Sequence, residues 1–332
     1  MTSALIQEAI LSGIHFLIIF LILFFLYFIW KTLLLLGDWF IYGNSAAKTD
    51  LKILIKNGLL FIFIFIIGFL ILSTSINWLN QRVDINILPL NNQSLMSLDK
   101  IIFGVYVPFW FQDIQNPLKN LFNFLSPILT STYRALTAII SLLFLIVLTQ
   151  NYRRFYQFFL AFVLCLIISL PLWYAIPALT PNHAYYKNIL KNPISEPIQT
   201  MMANYQPNPN LQKFLFGKIN TADLDAYNSI LTTTIPSMHV AWATVALYFA
   251  IQISWWLGII MIPYYLLNLI ATVFTLQHYA VDSLLGILIG IFALFFSKLI
   301  IIKKDSTAAL PTITMLIQND LKFLVKFFKR NN

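Results

Sequence analysis

Residues 9–30 carry no Asp, Glu, Lys or Arg, and neither do residues 59–79. About 20 apolar residues are needed to cross the hydrocarbon core of a bilayer as a helix. Lipid offers no partner to backbone N–H and C=O groups, so such stretches must satisfy their own backbone as helices. Composition agrees. Hydrophobic residues make up 59% of the chain and charged residues 10%, where a soluble domain carries about a quarter. A soluble globular fold is thereby excluded. The expected fold is all-α, a polytopic transmembrane helix bundle of about seven spans. They are read at 10–30, 58–79, 126–149, 155–176, 237–256, 257–277 and 279–302. The single cysteine, Cys165, permits no intrachain disulfide.

The spans organise the chain into an accessory pair at 1–80, a polar-chemistry domain at 81–303 and a basic tail at 304–332. Two connections, 80–125 and 177–236, read as long polar loops. The first apolar stretch lacks the basic leader and cleavage site of a signal peptide and reads as a retained span. Orientation follows from Lys and Arg. The loop 31–57, the turn at Arg153 and Arg154, and the tail from Lys298 hold thirteen basic residues, while the opposite face holds seven in a greater length. The positive-inside rule then places the C-terminus in the cytoplasm and both long loops outside. The expected setting is a bacterial inner membrane, with the site on its extracytoplasmic face.

Polar chemistry concentrates at two places. His239 ends the run Thr234-Ile235-Pro236-Ser237-Met238-His239 where the fifth span begins, and His278 opens His278-Tyr279-Ala280-Val281-Asp282 where the seventh begins. The 38 residues between them suit one helix inward and one back, which returns both histidines to the same face. Thr234 is placed to cap the fifth span, with Pro236 in its first turn. The amides of Ser237 to His239 would then be free for a phosphate oxygen, aided by the helix dipole. His278 and Asp282 stand four apart on one helical face. Asp282 can accept from one ring nitrogen and free the other as nucleophile or base. Gly286 and Gly290 continue along that face, where a neighbouring helix can approach closely.

These residues resemble the phosphatidic acid phosphatase type 2 superfamily. More narrowly, Pro236-Ser237-Met238-His239 and His278-Tyr279-Ala280-Val281-Asp282 are similar to the second and third signatures of its inositol phosphorylceramide synthase branch. Tyr174-Ala175-Ile176-Pro177 and Leu98-Asp99-Lys100-Ile101 resemble weaker segments of that branch, so the likeness covers about 98–290. The resemblance implies a phosphatidic acid phosphatase type 2-like catalytic core and metal-independent phosphoryl transfer on a phosphorylated lipid, possible products including a transferred phosphoinositol headgroup. It implies that His278 attacks phosphorus and forms a phosphohistidine, and that Asp282 orients its ring. His239 would protonate the leaving oxygen and then activate water or an alcohol. Ser237 and nearby amides would hold phosphate oxygens.

The chain departs from the pattern in two places. The first signature, a Lys followed by an Arg-Pro pair, is absent, and Thr272 stands where an Arg precedes the nucleophilic histidine by six residues. Two phosphate-binding cations are missing from their usual positions. Arg134, inside the third span, is the candidate replacement, with Tyr133 or Tyr174 as hydrogen-bond partners. Its other reading is structural: pairing with Asp99 or Asp113, or snorkelling to the interface.

Rival readings of the histidine pair are haem ligation, which leaves Asp282 and Pro236-Ser237 unexplained, and an inactive bundle acting as a lipid transporter or scaffold. His15 reads as an interhelical hydrogen-bonding group and His183 as a headgroup contact. Trp78, Trp110, Trp173, Trp255 and Trp256 read as interfacial belts. No metal or other cofactor is expected. The net charge of +9 suits a bilayer with anionic headgroups rather than nucleic acid. An amphipathic helix is expected near 312–329, with Lys322, Lys326 and Lys329 on one side and Leu324, Phe327 and Phe328 on the other. Cysteines introduced at 327 and 328 should resist a water-soluble thiol reagent in bilayers; ready labelling would show a solvated tail.

Overall fold

The structure is a computed structural model that describes residues 87–150, 152–186, 195–216 and 234–301, with isolated positions between 26 and 75. The expected accessory spans, apart from those positions, and the 312–329 helix lie outside the described residues. Among the described residues the fold is helical, with one isolated bridge between Asp113 and Tyr205 and no strand. Among the described residues four helices are long and apolar enough to cross a membrane, and Met238–Ile253 is a shorter apolar one.

In chain order these elements are α1 (Leu88–Phe103), α2 (Val107–Trp110), α3 (Lys119–Gln150), α4 (Tyr152–Ala175), α5 (Glu196–Asn204), α6 (Pro209–Phe216), α7 (Met238–Ile253), α8 (Trp255–Phe274) and α9 (Ala280–Ile301). The short helix α7 is apolar around most of its circumference and largely buried, with Ile251 and Gln252 exposed near its C-terminal end. It sits at the centre and packs against α3, α4, α8 and α9. Its lower half is fixed by stacked rings. Phe144 of α3 lies 4.1 Å from Phe158 of α4, which lies 4.4 Å from Phe249 of α7. Phe162 and Trp242 stack at 4.4 Å beside them. At this end Arg154 donates to the Gln252 carbonyl and Arg153 to that of Ile301, so the two arginines cap the C-termini of α7 and α9.

The segments 80–125 and 177–236 are not loops throughout. They contain α1, α2, α5, α6 and a π-turn at Asn182–Tyr186. Pro89, Pro108 and Pro197 stand in the first turns of α1, α2 and α5, and Pro209 opens α6. Proline's fixed φ and missing N–H suit that position, so residues read as helix breakers are helix openers. The two segments are tied together by Ile114 N to Asn204 O and Gln206 N to Gln112 O, each 3.0 Å. Helix α3 has 32 residues, about 48 Å at the helical rise, against a core of about 30 Å. Its first turns extend beyond that thickness and receive α6: Asn208 donates to Asn123, and Asn210 to Ser126 and Thr130.

Helices α7 and α9 meet backbone to backbone. A Cβ on Gly286 would stand 2.5 Å from the Ser237 carbonyl oxygen, and one on Gly290 would stand 2.8 Å from that of Ala241. The two glycines, one turn apart, are the site of close approach that their spacing predicts. Gly286→Ala should therefore force the helices apart. A loss of about 1–3 kcal/mol is expected from overpacking, read as a lower thermal midpoint in detergent. An unchanged midpoint would refute the close approach.

Candidate functional site

The close approach of α7 and α9 brings their N-terminal ends together. Ser237 N donates to the Asp282 carbonyl at 3.1 Å. The chain enters α7 through a cis Ile235–Pro236 bond. Ser237, rather than Thr234, is the N-cap, and its hydroxyl accepts from Val240 N at 3.4 Å. Thr234 has a different task. Its hydroxyl donates to the Ala178 carbonyl at 2.9 Å, anchoring the segment before α7 to the exit of α4. Trp173 is buried rather than interfacial, and its indole N–H donates to the Pro236 carbonyl at 3.3 Å. Of the amides expected to be free, that of Ser237 is thus committed, which leaves Met238 and His239 at this terminus.

His278 Nδ1 lies 3.0 Å from the Thr234 carbonyl oxygen and 3.6 Å from Asp282 Oδ2. A carbonyl can only accept, so Nδ1 carries the proton and the lone pair of the neutral ring sits on Nε2. The expected orienting carboxylate is present, but it stands beyond hydrogen-bond length and the backbone carbonyl is the nearer partner. Asp282 Oδ2 instead accepts from Tyr279 N at 3.0 Å, the return bond of a capping box. Its other oxygen is buried with no hydrogen-bond partner. Leu276, two residues before His278, holds φ at 56°, a left-handed value rare for leucine, in the tight turn that joins α8 to α9.

His239 occupies the first turn of α7, at the terminus that Ser237 N joins to the Asp282 carbonyl at the start of α9. Its ring stacks on Tyr133 at 4.2 Å with 11° between planes. Its Nε2 lies 3.2 Å from Asn268 Nδ2. The orientation of that amide follows from its neighbours. Tyr264 donates to the Thr132 carbonyl at 3.0 Å, and Asn268 Nδ2 lies 3.5 Å from both the carbonyl and the Tyr264 oxygen. With acceptors on that side, the amide nitrogen belongs there, and it donates to His239 Nε2. The neutral His239 ring therefore carries its proton on Nδ1. The two imidazoles are complementary, one presenting a lone pair and the other a proton.

Not every residue singled out in the sequence reaches this network. Arg134 is exposed, and its guanidinium lies 4.8 Å from the Phe214 ring centroid. It shares α3 with Tyr133, and Phe214 meets both. The structure gives Arg134 an aromatic platform on α6 rather than a hydrogen bond to either histidine. Tyr174 is 56% exposed, and its neighbour Trp173 is the residue that turns inward. Thr272, in the place of the family's arginine, donates to the Asn268 carbonyl at 2.7 Å. His183 pairs with Thr180 at 2.9 Å. Among the described residues, no group of three His, Cys, Asp or Glu side chains is placed to hold a metal ion.

Asn268 and Asp99 were not assigned to the site from sequence, and Tyr133 was expected beside Arg134 rather than against His239. Asn268 left a legible trace, an amide inside an otherwise apolar span, where a polar group needs a partner. Asp99, fully buried, accepts from Ala280 N at 3.0 Å and Val281 N at 2.9 Å. With Asp282, it occupies the first amides of α9. The terminus of α9 is thus closed by carboxylates, and that of α7 is the one open to an anion.

Comparison with known proteins agrees with this geometry. The family model of the PAP2 superfamily matches residues 109–296, more than half of the chain. Neither the comparison with curated proteins nor that with solved structures yields a match. The matched span takes in both histidine signatures and more than half of the chain, which therefore belongs to the PAP2 superfamily.

Proposed function

We propose that the protein is a lipid phosphotransferase that moves a phospho-headgroup, such as phosphoinositol, from a phospholipid to an alcohol through a phosphohistidine at His278. Membership of the superfamily supports phosphatase-type chemistry on a phosphorylated lipid at a membrane. The finer reading is carried by one observation, the hydrogen bonds that leave His278 with a lone pair on Nε2 and His239 with a proton on Nδ1.

In the first step His278 Nε2 attacks phosphorus, and the P–O bond to the lipid alcohol breaks with its electron pair staying on that oxygen. His278 gains positive charge as the N–P bond forms. The Thr234 carbonyl and Asp282, 3.0 and 3.6 Å from Nδ1, stabilise that charge. The departing oxygen takes the Nδ1 proton of the doubly protonated His239 ring, which is left neutral with its proton on Nε2. Asn268 can serve both protonation states of that ring. Its Nδ2 donates to the form with Nε2 bare, and its Oδ1, which has no partner, can accept from Nε2–H after a half-turn of the amide. In the second step His239 withdraws the proton of the incoming alcohol, which attacks phosphorus and releases His278. The Met238 and His239 amides, at the open terminus of α7, are placed to hold phosphate oxygens, with Ser237 fixing that terminus.

The charge balance favours a phosphodiester over a phosphomonoester. The site holds two carboxylates, Asp99 and Asp282, and Thr272 stands in place of a cation. A dianionic monoester would meet more repulsion here than a monoanionic diester. Arg134 remains the candidate cation only if it leaves Phe214 when lipid binds, so Arg134→Ala should leave turnover within about 3-fold if its role is packing at the surface.

The test is incubation of the purified protein with phosphatidylinositol or phosphatidic acid vesicles, with and without a long-chain alcohol acceptor. A new headgroup lipid from phosphatidylinositol is expected. Inorganic phosphate from phosphatidic acid as the main product would overturn transfer in favour of hydrolysis. No product from any lipid would leave the scaffold reading. His278→Ala should lower turnover by about 10³-fold or more, with folding retained. Because Asp282 is committed to Tyr279 N and one turn from His278, a chelator should not change the rate; loss in chelator and recovery with a divalent ion would refute the metal-independent mechanism.

A further inference from the structure

Helix α1 precedes the matched family region, which begins at residue 109. One of its faces nonetheless reaches the site. Asn92 and Asp99 stand seven residues apart, two turns of helix, and both are buried. Asn92 Oδ1 accepts from the Tyr279 hydroxyl at 2.9 Å and from Leu179 N at 3.0 Å. Asp99 accepts from Ala280 N and Val281 N. Asn91 Nδ2 donates to the Pro177 carbonyl at 2.8 Å. Helix α1 therefore grips the three residues between His278 and Asp282, and also the exit of α4 from which Ala178 holds Thr234.

The arrangement costs more than a helix cap requires. Ser, Thr or Asn would satisfy these amides without a charge. A carboxylate with no exposed surface, beside a second buried carboxylate, is expensive unless its position is used. The two amides and the positive end of the α9 dipole offset that cost. The outcome is a rigid link: a change at Asp99 is transmitted through one peptide to Tyr279, and through it to both His278 and Asp282.

Resting on the functional reading above, we propose that Asp99 is a positioning residue for the nucleophile, holding His278 against the Thr234 carbonyl so that Nε2 keeps its lone pair and its aim. Asp99 does not touch the reacting atoms; it acts through the first turn of α9. Helix α1 is by this argument part of the catalytic apparatus although it lies outside the matched region.

Burial pushes the Asp99 carboxyl up to about 7, the two amide bonds oppose the shift, and the charge of Asp282 adds to it. The titratable groups facing it from α9 and the turn before it are Asp282, Tyr279 and His278. A folded-state value above the ordinary 3.8 means that the native protein binds more protons than the unfolded chain between 3.8 and about 7. Stability from this group falls as pH rises through that window and is level above it. Asp99→Asn should flatten this dependence.

Two measurements decide the proposal, one of them independent of any substrate. In protein labelled with nitrogen-15 histidine, wild-type His278 should show a protonated Nδ1 and a bare Nε2. Asp99→Asn should shift this signal toward a mixture of tautomers, with the His239 signal as internal control. An unchanged His278 signal would overturn the proposal even if no lipid substrate were found. On phosphatidylinositol vesicles, Asp99→Asn should lower kcat by about 10- to 100-fold, as a small misplacement of a reacting group does, with KM within about 2-fold. It should also remove a limb of the pH profile near 7, leaving those of the histidines. A lower thermal midpoint with kcat and profile unchanged would reduce Asp99 to a helix cap. If the Asn variant does not fold, Asp99→Glu keeps the charge and displaces it by one methylene; it should disturb His278 in the same sense, and an undisturbed ring there would likewise refute positioning.

Discussion

The hydrogen bond from Ser237 N to the Asp282 carbonyl joins the starts of two apolar helices, and the rest of the site is arranged around it. It forms only because Gly286 and Gly290 let α9 lie against the α7 backbone, where a methyl group at either position would collide with a carbonyl oxygen. Once the two termini touch, Thr234 meets His278, and Asp282 stands one turn below the ring. Lipid supplies no water to satisfy stray polar groups, so each group drawn into this junction needs a protein partner. Trp173 takes the Pro236 carbonyl, Ala178 takes the Thr234 hydroxyl, and two carboxylates take the first amides of α9.

That demand explains how a bundle can hold each of two imidazoles in one tautomer. The backbone carbonyl of Thr234 is an acceptor without an alternative, and it fixes the proton on His278 Nδ1. The carbonyl of Thr132 does the same at one remove, through Tyr264 and Asn268, and fixes the proton of His239 on Nδ1 as well. In each case the nitrogen left for chemistry is decided by main chain. The ring nitrogen and ring proton offered to a phosphate are therefore properties of the fold rather than of the solvent. Placing this junction beside Leu276, a leucine held at positive φ, stores strain in the turn that sets the position of His278.

The apolar runs read at 126–149, 155–176, 257–277 and 279–302 correspond to the four described helices long and apolar enough to cross a membrane. The expected starts of the last three spans at 237, 257 and 279 compare with Met238, Trp255 and Ala280. The close approach at Gly286 and Gly290, and the return of the two histidine motifs to one end of the bundle, followed from spacing. Less of the outer layer was legible. Its helices α1, α2, α5 and α6 are short, polar and rich in proline, and their packing depends on partners distant in sequence. Asp99 lies 181 residues from Ala280, and no local pattern carries such a contact. The surroundings of Arg134 were not legible either, because its neighbour Phe214 arrives on α6, from a segment that read as loop.

The central claim is that phosphorus passes through His278. The direct measurement is rapid quenching of the protein in alkali after mixing with vesicles of phosphorus-labelled phosphatidylinositol, followed by digestion and mass analysis. The account predicts an acid-labile, alkali-stable phosphoryl-headgroup adduct on the peptide containing His278, absent from His278→Ala and more abundant in His239→Ala when the second step is slowed. Turnover in the wild type with no adduct on that peptide, or an adduct on His239 instead, would contradict it.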